Sequence, residues 1–168
     1  MSKNWHISTA VEGVVFPASI AAFESVALEI LAEVDFSGFN LADSAKLSLL
    51  FTNDSRIREL NRAYRKKDAA TDVLSFSLHE GEVVPFPSAS IGDVVISVET
   101  AQRQAKERDI YLYQELLRLF IHGVLHLAGF DHENVSDEDA NRMRAKEDAL
   151  YDQYLLKMRS VFFIGEEE

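Results

Sequence analysis

The sequence predicts an α+β fold: a small mixed β-sheet of three to four strands packed against helices, one of which carries histidines and ends at a glycine turn. Segments rich in Val, Leu, Ile and Phe that read as strands are confined to the first hundred residues. The later segments repeat their apolar residues at helical spacing, and no linker or internal repeat separates the two halves. Residues 1–168 therefore read as one domain, with a loose acidic tail over about residues 160–168.

Val11, Val14 and Val15 predict an opening strand within the first fifteen residues. Pro17 and Ser19 mark a helix start, and residues 20–34 carry apolar side chains at helical spacing. Ser37, Gly38, Asn40 and Asp43 make residues 35–45 read as a loop. Residues 46–52 are a strand, closed by the turn residues Asn53 and Asp54. Asp54 or Ser55 can then cap a helix with Ile57, Leu60 and Tyr64 on one side. Residues 71–78 form another strand through Val73, Leu74 and Phe76, whereas 79–90, with Gly81, Pro85 and Pro87, hold too many breakers for a central strand. A buried strand over 91–98 precedes helices over 99–108, 111–128 and 137–158. Ser136 followed by Asp139 is a variant of the capping box, and Asp137, Glu138 and Asp139 suit the positive end of the helix dipole.

A composition of 47% hydrophobic and 27% charged residues is that of an ordinary soluble globular protein rather than a disordered chain. With no cysteine, disulfides and thiolate ligands are excluded, which fits the cytosol. The first residues lack a basic stretch followed by an apolar one, and Glu24, Glu29 and Glu33 interrupt the apolar segment 20–34. The expectation is a soluble, cytoplasmic protein that does not engage membranes. A net charge of -11 opposes general affinity for nucleic acid. Arg56, Arg58, Arg62, Arg65, Lys66 and Lys67 run the other way, with only Glu59 among them. They are either a solvated helix face paired with carboxylates or, if they lie beside the histidines, a positive surface at a site.

Residues 121–132 hold three of the five histidines. On a helix, His122 and His126 lie one turn apart on one face. Gly129 can end that helix in a left-handed turn, after which the chain can fold back and bring His132 to the same point. Three neutral nitrogen ligands leave a fourth position open on a tetrahedral ion, the arrangement of a catalytic site. The set predicts one divalent ion, Zn2+ first, with Ni2+ also suited. The spacing H-x-x-x-H-x-x-G-x-x-H is that of the metzincin peptidases, but Gly123 stands where they carry a glutamate base. A metallopeptidase is thus favoured by ligand spacing and opposed by Gly123. Histidines simply packed on a helix face are the bland alternative, and the glycine and third histidine at matching offsets tell against it.

Three further positions have two readings each. Asp131 could orient a histidine or accept a proton, or be an ordinary turn residue. Glu147 shares helical spacing with Met143, Leu150 and Tyr154, so it either meets a ligand imidazole or an arginine on a buried face, or is an exposed glutamate. Ser75 and Phe76 read as packing and hydrogen-bonding positions unless their strand edges the site. His6 and His79 match no ligand spacing.

Residues 61–76 (NRAYRKKDAATDVLSF), then Gly92-Asp93-Val94-Val95-Ile96-Ser97, then the histidine motif ending Gly129-Phe130-Asp131-His132, together resemble the YbeY family of endoribonucleases, also called rRNA maturation factors. The resemblance runs over about residues 46–155 in the same order. The family pattern has proline where this chain has Ala70 and Ser77, positions that supply no chemical group. The resemblance implies a metal-dependent endoribonuclease that prefers single strands. It would act on rRNA, notably at the 3′ end of the small-subunit rRNA, and in ribosome quality control, with the ribosome or ribosomal proteins as partners. It also implies His122, His126 and His132 as metal ligands and Arg65 as the essential arginine. The chemistry fits: a guanidinium can hold a phosphate through two parallel hydrogen bonds and offset charge in the transition state. A non-catalytic ribosome-assembly factor with a structural metal is the remaining alternative.

Overall fold

In the computed structural model, which describes residues 3–78, 87–130 and 136–163, alternating side chains sort each strand between two faces of one sheet. The elements run β1 (Asn4–Val11), α1 (Ile20–Ala32), β2 (Leu41–Thr52), α2 (Asp54–Arg65), β3 (Val73–Ser77), β4 (Ser88–Ser97), α3 (Val98–Glu107), α4 (Leu112–Leu127) and α5 (Asp137–Phe162). The sheet order is β1-β2-β4-β3. β1 and β4 both lie parallel to β2, while β3 is antiparallel to β4 and forms one edge. This is the mixed α+β architecture that the sequence predicts.

Leu47, Leu49 and Phe51 of β2 and Val94 and Ile96 of β4 face the main core. There they meet Phe23 and Ile30 of α1, Leu116 and Val124 of α4, and Met143 and Met158 of α5. The other face carries a smaller cluster, in which Val95 and Leu74 pack against Ile57 of α2, with Leu50, Leu60 and Phe76 around them. Gly92 permits the close approach of the edge strand: its φ is +133°, and a Cβ there would stand 2.1 Å from the Phe76 carbonyl oxygen.

Several boundaries depart from expectation. Residues 35–45 are not all loop, since β2 begins at Leu41 and Ser44 and Ala45 pair with Asn4 and Trp5 of β1. Asp43 and Ser44 are exposed, so this stretch shows no apolar alternation to reveal it. β4 begins at Ser88, inside the stretch assigned to a connection, with Pro87 just ahead of the strand where proline is tolerated. Val14 and Val15 lie beyond β1, and Val15 is 90% exposed. The α2 cap is Asn53 rather than Asp54 or Ser55: its Oδ1 accepts from the Arg56 amide at 2.9 Å. Val98 is the first residue of α3, not the last of a strand, because the Ser97 hydroxyl accepts from the Thr100 amide at 3.2 Å and caps that helix. α5 continues to Phe162 because Met158 and Val161 still face the core. Residues 164–168 of the expected tail lie outside the described residues.

Candidate functional site

α4 ends as its sequence requires. Gly129 adopts φ +98°, its amide donates to the His126 carbonyl at 3.1 Å, and the Phe130 amide donates to Leu125 at 3.0 Å. These are the two bonds of a Schellman motif. His122 and His126 share one face, their Nε2 atoms 2.8 Å apart and their ring centroids 4.4 Å apart. On the other side of the first ring, His122 Nδ1 contacts Glu147 Oε1 of α5, the imidazole partner foreseen as one role for Glu147.

A carboxylate at Nδ1 holds the proton there and leaves Nε2 as a lone-pair donor. With His126 protonated at Nε2 the 2.8 Å contact is a hydrogen bond to His122, and with both nitrogens unprotonated they repel unless a cation lies between them. Two ligands of a tetrahedral ion with bonds of about 2.0–2.1 Å stand roughly 3.3 Å apart. At 2.8 Å the two nitrogens lie closer than that, and the rings need part by only about 0.5 Å to share a divalent ion. Among the described residues, no group of three or more His, Cys, Asp or Glu side chains gathers for a metal. The third expected ligand, His132, and its neighbour Asp131 lie outside those residues.

Gly123 is explained by packing. A Cβ there would stand 2.8 Å from Val94 Cγ1 and 3.2 Å from Ser75 Oγ, so the glycine lets α4 lie directly on β3 and β4. The Ser75 hydroxyl fastens this contact by donating to the Gly123 carbonyl at 2.9 Å. A glutamate at this position would point into the sheet, and a peptidase base has no room here.

Arg65 is the last residue of α2, where the chain turns through Lys66 in the left-handed conformation, φ 58°. Arg65 Nη2 donates to the Ser75 carbonyl at 2.5 Å, and its guanidinium lies 5.1 Å from the centre of the Phe76 ring. Ser75 thus touches both the arginine and the histidine helix. Buried Asn61 holds the turn that follows, donating to the Ala69 carbonyl at 2.9 Å. A cleft of about 950 Å³ opens beside β3, and Arg65, Ser75, His122 and His126 all line it. The basic segment divides between its two readings. Arg56 pairs with Glu59 at 3.0 Å and Arg58 with Asp68 at 2.8 Å on the surface, whereas Arg65 and Lys67 line the cleft. The hydrogen bond from Arg58 holds the Asp68 carboxyl below its ordinary range.

The family model for endoribonuclease YbeY matches residues 16–155. The chain belongs to the YbeY endoribonuclease family. It is 43% identical over 130 residues to the endoribonuclease YbeY of Syntrophotalea carbinolica, covering 76% of this chain and 87% of that one. It is 47% identical over 113 residues to that of Aquifex aeolicus, covering 67% and 72% respectively. The solution structure of a Thermotoga maritima protein superposes with a TM-score of 0.60 at 26% identity, covering 91% of this chain and 93% of the other. The YbeY match spans Arg65, the histidine motif and Glu147, and leaves β1 outside it.

Sequence reasoning missed four residues at this YbeY cleft. Asp72, Arg108 and Arg118 line it, and Glu115 lies fully buried against the two arginines. Continuing the His126, His122 stripe backward along α4 leads to Arg118 and Glu115, which is the signal that could have found them. His6 lies exposed on β1, at the opposite edge of the sheet from β3. No helix among the described residues is long and apolar enough to cross a membrane.

Proposed function

We propose that this YbeY chain hydrolyses RNA phosphodiester bonds as a metal-dependent endoribonuclease that prefers single strands. His122, His126 and His132 would hold one divalent ion, Zn2+ before Ni2+ on the chemistry of the ligands, and Arg65 would bind the phosphate. The observation that carries this reading is that Arg65, from α2, lines the same cleft as the paired imidazoles of α4. When bound, such an ion supplies Lewis acidity toward a phosphoryl oxygen and a means of ionising water near neutral pH.

The chain's own groups do the rest. Glu147 fixes the His122 ring and its tautomer. The Ser75 carbonyl and the Phe76 ring hold the Arg65 guanidinium on the edge strand, so its remaining N–H groups meet a phosphate without first being ordered. An extended strand can run along β3, where one edge of the sheet borders the cleft. The endoribonuclease name of the relatives supports RNA as the substrate. The motif resemblance supports maturation of the small-subunit rRNA 3′ end and ribosome quality control, in the cytoplasm with ribosomal partners, as its setting.

Matched oligoribonucleotides and 2′-deoxy oligonucleotides, incubated with and without a chelator, test the activity. Metal-dependent cleavage of the RNA is expected, and RNA left intact by the metal-loaded protein would overturn the proposal. Arg65→Ala is expected to keep stoichiometric metal and lose about 100-fold or more in cleavage rate, whereas His126→Ala loses both metal and cleavage. Normal cleavage by Arg65→Ala would remove that residue from the site.

A further inference from the structure

Among the described residues, four cations line the cleft, Arg65, Lys67, Arg108 and Arg118, against the single carboxylate of Asp72. The chain as a whole carries -11, so this concentration of positive charge is local to the cleft. Arg65 has a part in the proposed chemistry, but Arg118 does not. It stands one turn before His122 on the same face of α4, about 6 Å along the helix axis. Neighbouring phosphates of an extended single strand lie at a similar separation.

Arg118 is held from behind. Its Nη2 and Nε reach the two oxygens of Glu115, the Nε contact being 3.4 Å. Glu115 is 0% exposed, and Arg108 Nη1 lies 3.1 Å from its Oε2. The Gln104 amide nitrogen completes the cluster at 2.9 Å from Glu115 Oε1, in the orientation that also brings it 3.3 Å from Asp72 Oδ2. Burying a carboxylate is costly unless it is paired, and an apolar residue would have filled the same space without that cost. What the carboxylate adds is a guanidinium fixed in place. The Arg118 side chain remains 32% exposed, and among the described residues no partner engages its Nη1. Asp72 stands off at 4.0 Å from Nη2, and its Oδ1 already accepts from the Val73 amide at 2.7 Å.

We propose that Arg118, seated on buried Glu115 one turn ahead of His122, is a second phosphate-binding position that holds the RNA backbone beside the phosphate undergoing cleavage. It rests on the RNA-cleaving function proposed above. Arg118 touches a phosphate that does not react, so its contribution is to binding and register. A pre-ordered guanidinium loses little side-chain entropy when it binds.

The test uses the full-length zinc-loaded protein and a single-stranded RNA of 12 nucleotides, with kcat and KM measured over a range of salt concentrations. Arg118→Gln is expected to raise KM about tenfold, the loss of one charge-assisted contact, with kcat within about twofold of wild type. The slope of log(kcat/KM) against log salt is expected to weaken by about 0.7, the value for one phosphate of a single strand. Arg118→Lys restores the salt slope because it keeps the charge. Should Arg118→Gln fail to fold with Glu115 left partly unpaired, the double variant Glu115→Gln/Arg118→Gln removes both charges and is expected to show the same KM increase. A folded variant with wild-type KM and salt slope, or a loss confined to kcat, would overturn the second position while leaving RNA cleavage intact. Wild-type protein that cleaves no RNA would overturn both.

Discussion

Gly123 and Glu147 sit on opposite sides of His122 in function: one sets how close its helix lies to the sheet, and the other how its ring is turned. Replacing Gly123 by Glu would restore the peptidase spacing, yet the first added carbon already stands 2.8 Å from Val94 Cγ1. Overpacking of this kind is expected to cost about 1–3 kcal/mol, read as a lower midpoint in thermal melting, with no gain of casein hydrolysis. A stable Gly123→Glu protein would show that the α4 contact with the sheet is looser than this. Glu147→Gln removes the charge that holds the Nδ1 proton of His122. Metal affinity is expected to fall about 10–100-fold in competition with a chelator, and unchanged affinity would detach Glu147 from the proposed metal site. Glu147 was legible in the sequence as one of two readings, since it shares helical spacing with Met143 and Leu150, and the His122 contact decides between them. The reason for Gly123 was not, since the atoms it makes room for, in Val94 and Ser75, are far away in the chain.

Between elements, Asp54 ties the start of α2 to the start of α3. Its Oδ1 accepts from the hydroxyls of Ser97 at 2.7 Å and Thr100 at 2.6 Å, and Arg103 pairs with Oδ2 at 2.8 Å. Partial burial raises its pKa, but the hydrogen bonds from Arg103, Thr100 and Ser97 together outweigh that effect and leave it lowered. With the folded-state value below the unfolded one, the stabilisation is complete above the ordinary aspartate pKa of about 3.9 and is lost as pH falls through the lowered folded value. Asp54→Asn is therefore expected to flatten the acid limb of stability against pH, measured by denaturant unfolding between about pH 5 and pH 2. An unchanged acid limb would mean that other carboxylates set it. At this scale the sequence misassigned the role of Asp54: it is as good a cap residue as Asn53, and only the placement of α3 shows that its oxygens are used elsewhere. The first residues of β2 were missed for a related reason. Their side chains face water, and their place in the sheet depends on pairing with β1.

For the molecule as a whole, the question is whether the expected metal serves the fold or the reaction. The main core joins α1, α4 and α5 to the sheet through wholly buried Phe, Leu, Ile and Met side chains, and the site imidazoles are not among them. Chelation is therefore expected to abolish cleavage while the far-ultraviolet circular dichroism stays native. Loss of secondary structure on chelation would instead favour a structural ion and an assembly factor without catalysis.

The sequence by itself determined what depends on local spacing: the α+β class, the histidine pair on one helix face, the glycine turn that ends that helix, and the three motifs that mark a YbeY chain. Only the tertiary structure decided that Arg65 shares the histidines' cleft, that a peptidase base is sterically shut out at Gly123, and that Glu115 seats Arg118 beside them. Helical and strand periods are written in neighbouring residues, whereas the cleft is made where α2, β3 and α4 meet, and that meeting is set by which faces each element buries.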